Sequence, residues 1–498
     1  MDSKSPKRGV GLWVSVGFIF GIIIALGIVA RLTPNEPVSV AGVKLHFPDL
    51  AAMFAEASGS HISVDDQLAG IESGMGLEAD SLAAVRDSLL SARQDSILRM
   101  ERVFGKSEGS LRFPNGDYTY LFPVFRAMRS ADSACVHIFH YGDSQIEGDR
   151  ITQIVRDSLQ SLFGGSGPGM LPLWQPIPCR TVSQHLTDSV ATYYAAGIMG
   201  RRAKHDRYGA MAQMAEMRGE RVTMHVEALG EGHGGYRRVS AFVGNVADTL
   251  SLRLDSFAVR NVAPGDGLRE VSWRIPKCNS FNLTLKGRGD VYGVEVDGGT
   301  GVTVTNIPMR GADGLFLGRV DQELMRQMMR RVNTRLVIME FGGNALPMFH
   351  DTADVTRYCK GIGIQIDRMK SLCPQARIIF IGPADMSVKV NGNLQTHPQL
   401  PDLTAKLAQT CDEHGVAFWD MYDVMGGWNS MIAWVEHQPQ LAGTDYVHFT
   451  TRGANRIASI LWKAIKMNYD YMLLCEKQDA EAKNSSSPQP QNESQPEL

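Results

Sequence analysis

The sequence has no Cys-x-x-C pair and no repeated cysteine spacing; its seven cysteines (Cys135, Cys179, Cys278, Cys359, Cys373, Cys411, Cys475) are scattered and odd in number. A disulfide framework and a structural zinc site both need closely spaced cysteines, so both are excluded. A single bridge stays open, and spacing cannot pair it. An excess of either charge is also missing: 50 Lys and Arg face 53 Asp and Glu, a formal net charge of -3. Polyanion binders concentrate positive charge, so nucleic acid is excluded as a partner. With 21% charged and 44% apolar residues the chain as a whole is neither disordered nor collagen-like. Long apolar runs are missing too, with one exception that the mean hydropathy of -0.14 conceals.

That exception runs without a charge from Gly9 to Ala30, after Lys4, Lys7 and Arg8. About 22 residues at about 1.5 Å each give roughly 33 Å of helix, enough to cross a hydrocarbon core of about 30 Å. The run is longer than the apolar part of a cleaved signal peptide and ends Ile28-Val29-Ala30-Arg31-Leu32, without a small-residue cleavage site. Residues 1–8 are therefore read as a cytoplasmic basic flank and 9–31 as a single transmembrane anchor, with the rest of the chain outside the cytoplasm.

At 498 residues the chain exceeds what one core supports. Residues 32–110 read as a connector with a helix from Ser81 to Val103, either a stalk or a helix packed on the main domain. Residues 477–498, rich in Ser, Pro, Gln, Asn and Glu, read as a disordered tail. Between them, Cys135 to Tyr141 is an apolar strand, followed by a tight turn and a helix through Leu162. Short β-branched runs then extend from Glu220 to Thr305 (Val222 to Ala228, Leu250 to Val259, Val271 to Ile275, Phe281 to Leu285, Val291 to Val296, Val302 to Thr305), as in an antiparallel sandwich. From Gly318 strands and helices alternate: a helix through Val332, strand Leu336 to Phe341, helix Asp354 to Leu372, strand Ile378 to Ile381, helix Asp402 to His414, strand Val416 to Trp419 and helix Arg452 to Leu474. Such alternation builds a parallel sheet. The expected organisation is one α/β domain, 111–170 and 306–476, interrupted by a β-rich module at 171–305.

Three pieces of the α/β texture carry chemistry. In Phe139-His-Tyr-Gly-Asp-Ser-Gln-Ile-Glu147, Ser144 stands where a strand ends and a helix begins, exposed at the carboxyl edge of the sheet with its N–H at a helix N-terminus. In Leu336-Val-Ile-Met-Glu-Phe-Gly-Gly-Asn-Ala345, two glycines allow a close backbone approach and the Asn344 amide can donate to an oxyanion. In Thr444-Asp-Tyr-Val-His448, a carboxylate and an imidazole three apart share one loop, so Asp445 can fix the tautomer of His448, which accepts the serine proton. Taken singly, the three pieces also fit an N-cap serine, a Gly-Asn turn, and a capping Asp beside a surface His.

In this order the blocks resemble those of the SGNH/GDSL hydrolase family: Gly-Asp-Ser first, Gly-x-Asn third, Asp-x-x-His last. The resemblance implies a flavodoxin-like three-layer α/β fold with a parallel sheet. It implies Ser144 as nucleophile, His448 as general base and Asp445 as its orienting partner, with the Ser144 N–H and the Asn344 side chain in the oxyanion hole. The second-block glycine is placed at Gly311, with Gly314 as the alternative. Ala345 departs from the aspartate that often ends the third block. The β-rich stretch resembles the subgroup of peptidoglycan O-acetylesterases in which a carbohydrate-binding, jelly-roll-like sandwich interrupts the SGNH domain; Phe163-Gly-Gly-Ser-Gly-Pro-Gly169 and Pro172 resemble that subgroup's connection.

The resemblance implies a serine esterase at a bacterial inner membrane that removes O-acetyl groups from a cell-envelope glycan such as peptidoglycan, with a membrane O-acyltransferase as a potential partner. A glycan O-acyltransferase with the same triad and a non-catalytic glycan-binding scaffold are the alternatives. No metal or organic cofactor is called for. Glu147 and Asp149 read as the exposed side of the nucleophile helix. His185, His205, His225 and His233 are too irregular for a metal site. Trp174, Trp273 and Tyr292 either stack on sugars or fill the sandwich core.

Overall fold

A computed structural model describes residues 38–40, 43–45, 91, 93–102, 104, 109–198 and 200–486. The chain divides into two units, Met1–Ser91 and Ala92–Leu498. In the first, strands Val38–Val40 and Val43–Leu45 pair antiparallel. The expected anchor at 9–31 lies outside the described residues, among which no helix is long and apolar enough to cross a membrane.

The second unit is built on five parallel strands: β1 (Val136–Gly142), β2 (Val302–Pro308), β3 (Thr334–Glu340), β4 (Arg377–Ile381) and β5 (Ala417–Trp419). Their spatial order is β2-β1-β3-β4-β5, the flavodoxin-like arrangement. All seven residues of β1 are buried, because a parallel sheet is covered on both faces. On one face Phe139, Tyr141, Met339 and Phe380 pack against Met325, Ile362 and Leu403 from helices α2 (Gln322–Arg331), α3 (Thr352–Leu372) and α4 (Leu400–Glu413). On the other, Ile138, Val304, Ile338 and Trp419 meet Val155 of α1 (Thr152–Phe163) and Ile457 and Leu461 of α5 (Thr451–Ser486). Period-two alternation in the strands thus feeds two separate cores and produces three layers.

The β-rich module is a nine-stranded sheet running from Gly169–Leu171 to Ser280–Asp297. Two expected runs, 281–285 and 291–296, are one 18-residue strand. Its first half pairs with Leu250–Leu254 and Gln213–Ala228, and its second half with Tyr236–Gly244. Bulges at Lys286/Arg288 and Val291/Gly293 let it turn between partners. Leu252, Leu283, Val226, Val239 and Trp273 fill the core.

Two expectations are corrected and two open questions are answered. Residues 302–305 belong to the parallel sheet: Val302–Pro308 pairs in parallel with all of β1, so the module ends at Asp297. The turn that separates them works through Gly301, at φ +76, where a Cβ would lie 2.3 Å from the Gly165 nitrogen. The expected tail at 477 begins as helix instead, since α5 runs to Ser486. Its Lys-Gln-Asp-Ala-Glu-Ala-Lys sequence is rich in strong helix formers, and Glu481 and Gln478 bond to Arg93 and Gln94 of the helix at 93–102. That helix, at the end of the connector, therefore packs within the second unit: Ile97 and Phe104 are buried, and Tyr471 donates to Glu101 at 2.7 Å. Finally, the open question of a bridge closes, as all seven cysteines are free thiols.

Replacing Gly301 by Ala combines an unfavourable φ with a backbone clash, and should destabilise the protein by about 1–3 kcal/mol in urea denaturation. An unchanged midpoint would contradict the placement of this turn.

Candidate active site

The site lies at the carboxyl end of the sheet, where the β2-β1-β3 order reverses the direction of winding and leaves a crevice. The strand β1 ends at Gly142, where a Cβ would sit 2.9 Å from Ile146 Cδ1; its absence lets Ile146 close over the strand end. Asp143 then caps a short 3-10 turn, Ser144–Asp149, by accepting from the Gln145 N–H at 2.9 Å. The expected direct passage from serine into helix is corrected: Glu147 and Gly148 leave helical geometry, and α1 starts at Thr152.

Ser144 Oγ lies 2.8 Å from His448 Nε2, and His448 Nδ1 lies 2.7 Å from Asp445 Oδ2. Asp445 Oδ1 also accepts from the N–H groups of Val447 and His448, both at 3.1 Å. Burial alone would raise the Asp445 carboxyl, but the His448 ring and these backbone donors hold it below the ordinary value. An ionised Asp445 fixes the proton on Nδ1 and leaves the Nε2 lone pair facing the serine hydroxyl.

A cleft of about 710 Å³ opens beside this line, with Ser144, Gly311, Asn344 and His448 in its wall. Gly314 packs beneath Phe341 instead. The Ser144 and Gly311 N–H groups have no partner among the described residues. Asn344 differs from expectation: its Nδ2 donates to Asp143 Oδ2 at 2.9 Å and to Ala312 O at 3.1 Å, so both N–H groups are engaged within the protein.

Glu147 and Asp149 are buried, contrary to their reading as an exposed helix side. Asp149 forms a two-point pair with Arg156 (2.6 and 2.9 Å) and accepts from Thr181. Glu147 forms another with Arg310, at 2.7 and 2.5 Å, on the cleft wall. Both carboxylates are kept below the surface by guanidinium partners.

Sequence reasoning also missed a buried chain under the nucleophile turn. His140 contacts Glu340 (3.2 Å) and Thr152 (2.9 Å), Thr152 donates to Asn306, and Asn306 donates to Ile146 O. The available signal was a polar residue at an inward position of an otherwise apolar strand.

Of the remaining candidates, His185, His205, His225 and His233 contact Ser183, Asp290, Asn282 and Asp157 respectively, in separate places. Trp273 and Tyr292 are core residues, while Trp174 is exposed on the module.

The family model of GDSL-like lipases and acylhydrolases matches residues 284–456. Residues 284–456 therefore carry a GDSL-like lipase/acylhydrolase domain. The match spans Gly311, Asn344, Asp445 and His448; Ser144 lies on the far side of the inserted module. A solved peptidoglycan O-acetylesterase superposes on this chain with a TM-score of 0.56 at 20% identity, over 70% of this chain and 95% of that one, and so shares its fold. A family two carbohydrate esterase from Cellvibrio japonicus gives 0.24 at 12% identity over 58% and 99%. An acetyl xylan esterase gives 0.25 at 14% over 33% and 81%. No curated protein matches the sequence.

Burial pushes the Asp143 carboxyl up to about 7; the Gln145 N–H opposes this and nearby Glu340 adds to it. An unfolded aspartate titrates near about 3.9. Folding therefore favours the protonated form, and this contribution to stability is complete below about pH 3.9 and is lost as the pH rises toward about 7. Urea denaturation of the wild-type esterase relative to Asp143→Asn should show a stability difference that falls over that window. A constant difference would contradict the assignment.

Proposed function

We propose that this chain is a membrane-anchored, extracytoplasmic serine esterase that removes O-acetyl groups from a cell-envelope glycan, with peptidoglycan as the first candidate. The observation that carries the reading is the continuous line Asp445, His448, Ser144 ending in a cleft beside the Ser144 and Gly311 N–H groups, which have no partner among the described residues. The apolar run from Gly9 to Ala30 with its basic flank supports the anchor at 9–31. The fold shared with a peptidoglycan O-acetylesterase supports the choice of glycan.

Ser144 Oγ attacks the ester carbonyl as its proton passes to His448 Nε2. The imidazolium is stabilised by Asp445. Negative charge on the former carbonyl oxygen is received by the Ser144 and Gly311 N–H groups, and by the Asn344 amide as it exchanges Ala312 O for the oxyanion. Collapse breaks the bond to the sugar oxygen, which takes the proton from His448. Water then attacks the acyl-serine with His448 again as base, releasing acetate and restoring the Ser144 hydroxyl.

Full-length protein in detergent, incubated with O-acetylated peptidoglycan, should release acetate, and Ser144→Ala should not. Asn344→Ala should retain activity reduced by about 10²–10³-fold. Acetate release undiminished in Ser144→Ala, or transfer to an added glycan in place of release, would overturn the reading.

A further inference from the structure

The loop that carries His448 is a partly exposed segment. Asp445 and His448 hold each other, but that pair by itself does not fix their distance from Ser144, which sits on a different element. The connection to the nucleophile turn runs through two side chains. Gln145, directly after the nucleophile and 8% exposed, donates from Nε2 to Val447 O at 2.7 Å and faces the Phe449 N–H with Oε1 at 3.5 Å. It therefore touches the backbone on both sides of His448. Arg150 donates from Nη2 to Ser144 O at 2.9 Å and from Nη1 to Phe449 O at 3.3 Å. Its Nε donates to Glu147 O at 2.9 Å, which closes the turn on itself.

We infer that Gln145 is a positioning residue that clamps the His448 loop to the nucleophile turn and sets the Ser144 to His448 distance, with Arg150 as its second strap. This rests on the esterase reading of the same site. A buried primary amide suits the task because it donates and accepts at once, and the loop offers one carbonyl and one N–H on either side of the histidine. A hydrocarbon of the same length, as in Gln145→Met, fills the space and holds neither group. The loop keeps its internal bond from Gly443 N–H to His448 O at 2.8 Å and its bond from Ser387 N–H of a neighbouring strand to Tyr446 O at 3.2 Å, so the fold persists while the register of the base is released.

The charged groups around His448 are Asp445 on its own loop, Asp143, Glu147 and Arg150 on the nucleophile turn, and Arg310, paired with Glu147, Glu340 and Asp385 elsewhere in the cleft wall. A carboxylate placed at 145, against the backbone that flanks His448, adds negative charge near the ring and favours the imidazolium.

The test uses full-length protein with p-nitrophenyl acetate, a small ester that makes few contacts outside the reacting centre. Gln145→Met should lower kcat by about 10–100-fold with KM within about twofold, since about 1 Å of misplacement between base and nucleophile is enough for such a loss. Its thermal midpoint should stay close to that of the wild type. Gln145→Glu should move the acidic limb of the kcat/KM profile upward by about one pH unit, as expected of a carboxylate held against the backbone that flanks His448. Unchanged kcat in Gln145→Met together with an unmoved limb in Gln145→Glu overturns the assignment while leaving the esterase reading intact. If folded wild-type protein hydrolyses no ester, the esterase reading fails separately. The clamp is then judged by NMR titration of the His448 ring, which must shift upward in Gln145→Glu and overturns the clamp if it does not.

Discussion

The 2.8 Å contact between Ser144 Oγ and His448 Nε2 joins residues 304 positions apart, and the chemistry of this chain depends on it. Nothing local creates it. It requires that the strand before Ser144 and the loop before the last helix reach the same edge of one parallel sheet, which the β2-β1-β3-β4-β5 order provides. The nine-stranded module between the two halves of the domain is accommodated because it leaves after α1 and returns at β2, the neighbour of β1. The sheet is thereby closed over an insertion of more than a hundred residues without displacing the nucleophile.

Beneath that contact the protein buries several ionisable side chains against one another. Asp149 with Arg156, Glu147 with Arg310, and His140 with Glu340 lie under or beside the nucleophile turn. An unpaired charge at these depths would destabilise the fold by several kcal/mol, so these contacts fix where the turn can sit. Asp143 carries two tasks, capping the turn and holding Asn344, and its burial favours the protonated form.

Much of this was legible in the sequence, for definite reasons. The apolar run Cys135 to Tyr141 is unmistakable because a strand covered on both faces has little room for polarity. Ser144 and Asn344 stand out because small or polar residues interrupt such runs at strand ends, and Asp445 and His448 because a carboxylate and an imidazole three apart share the loop before the last helix. What stayed hidden depends on distant partners. Glu147 reads as a surface residue until Arg310, 163 positions away, folds against it. The strand 302–308 reads as part of the sandwich because its Val and Thr alternation suits either sheet, and only its pairing with β1 decides. Helix beyond Lys477 is drawn on by contacts with residues 93 and 94. Gln145 gives no local sign of its role, since its partners lie 302 and 304 positions along the chain.

The central claim is that Ser144 is a nucleophile activated by His448. The most direct measurement is labelling of the full-length protein with a fluorophosphonate, with the modified residue mapped by mass spectrometry in the wild type and in His448→Ala. A single adduct on Ser144 that forms rapidly in the wild type and is suppressed in His448→Ala is the expected result. Labelling at another residue, or equal labelling of Ser144 in both proteins, would contradict it.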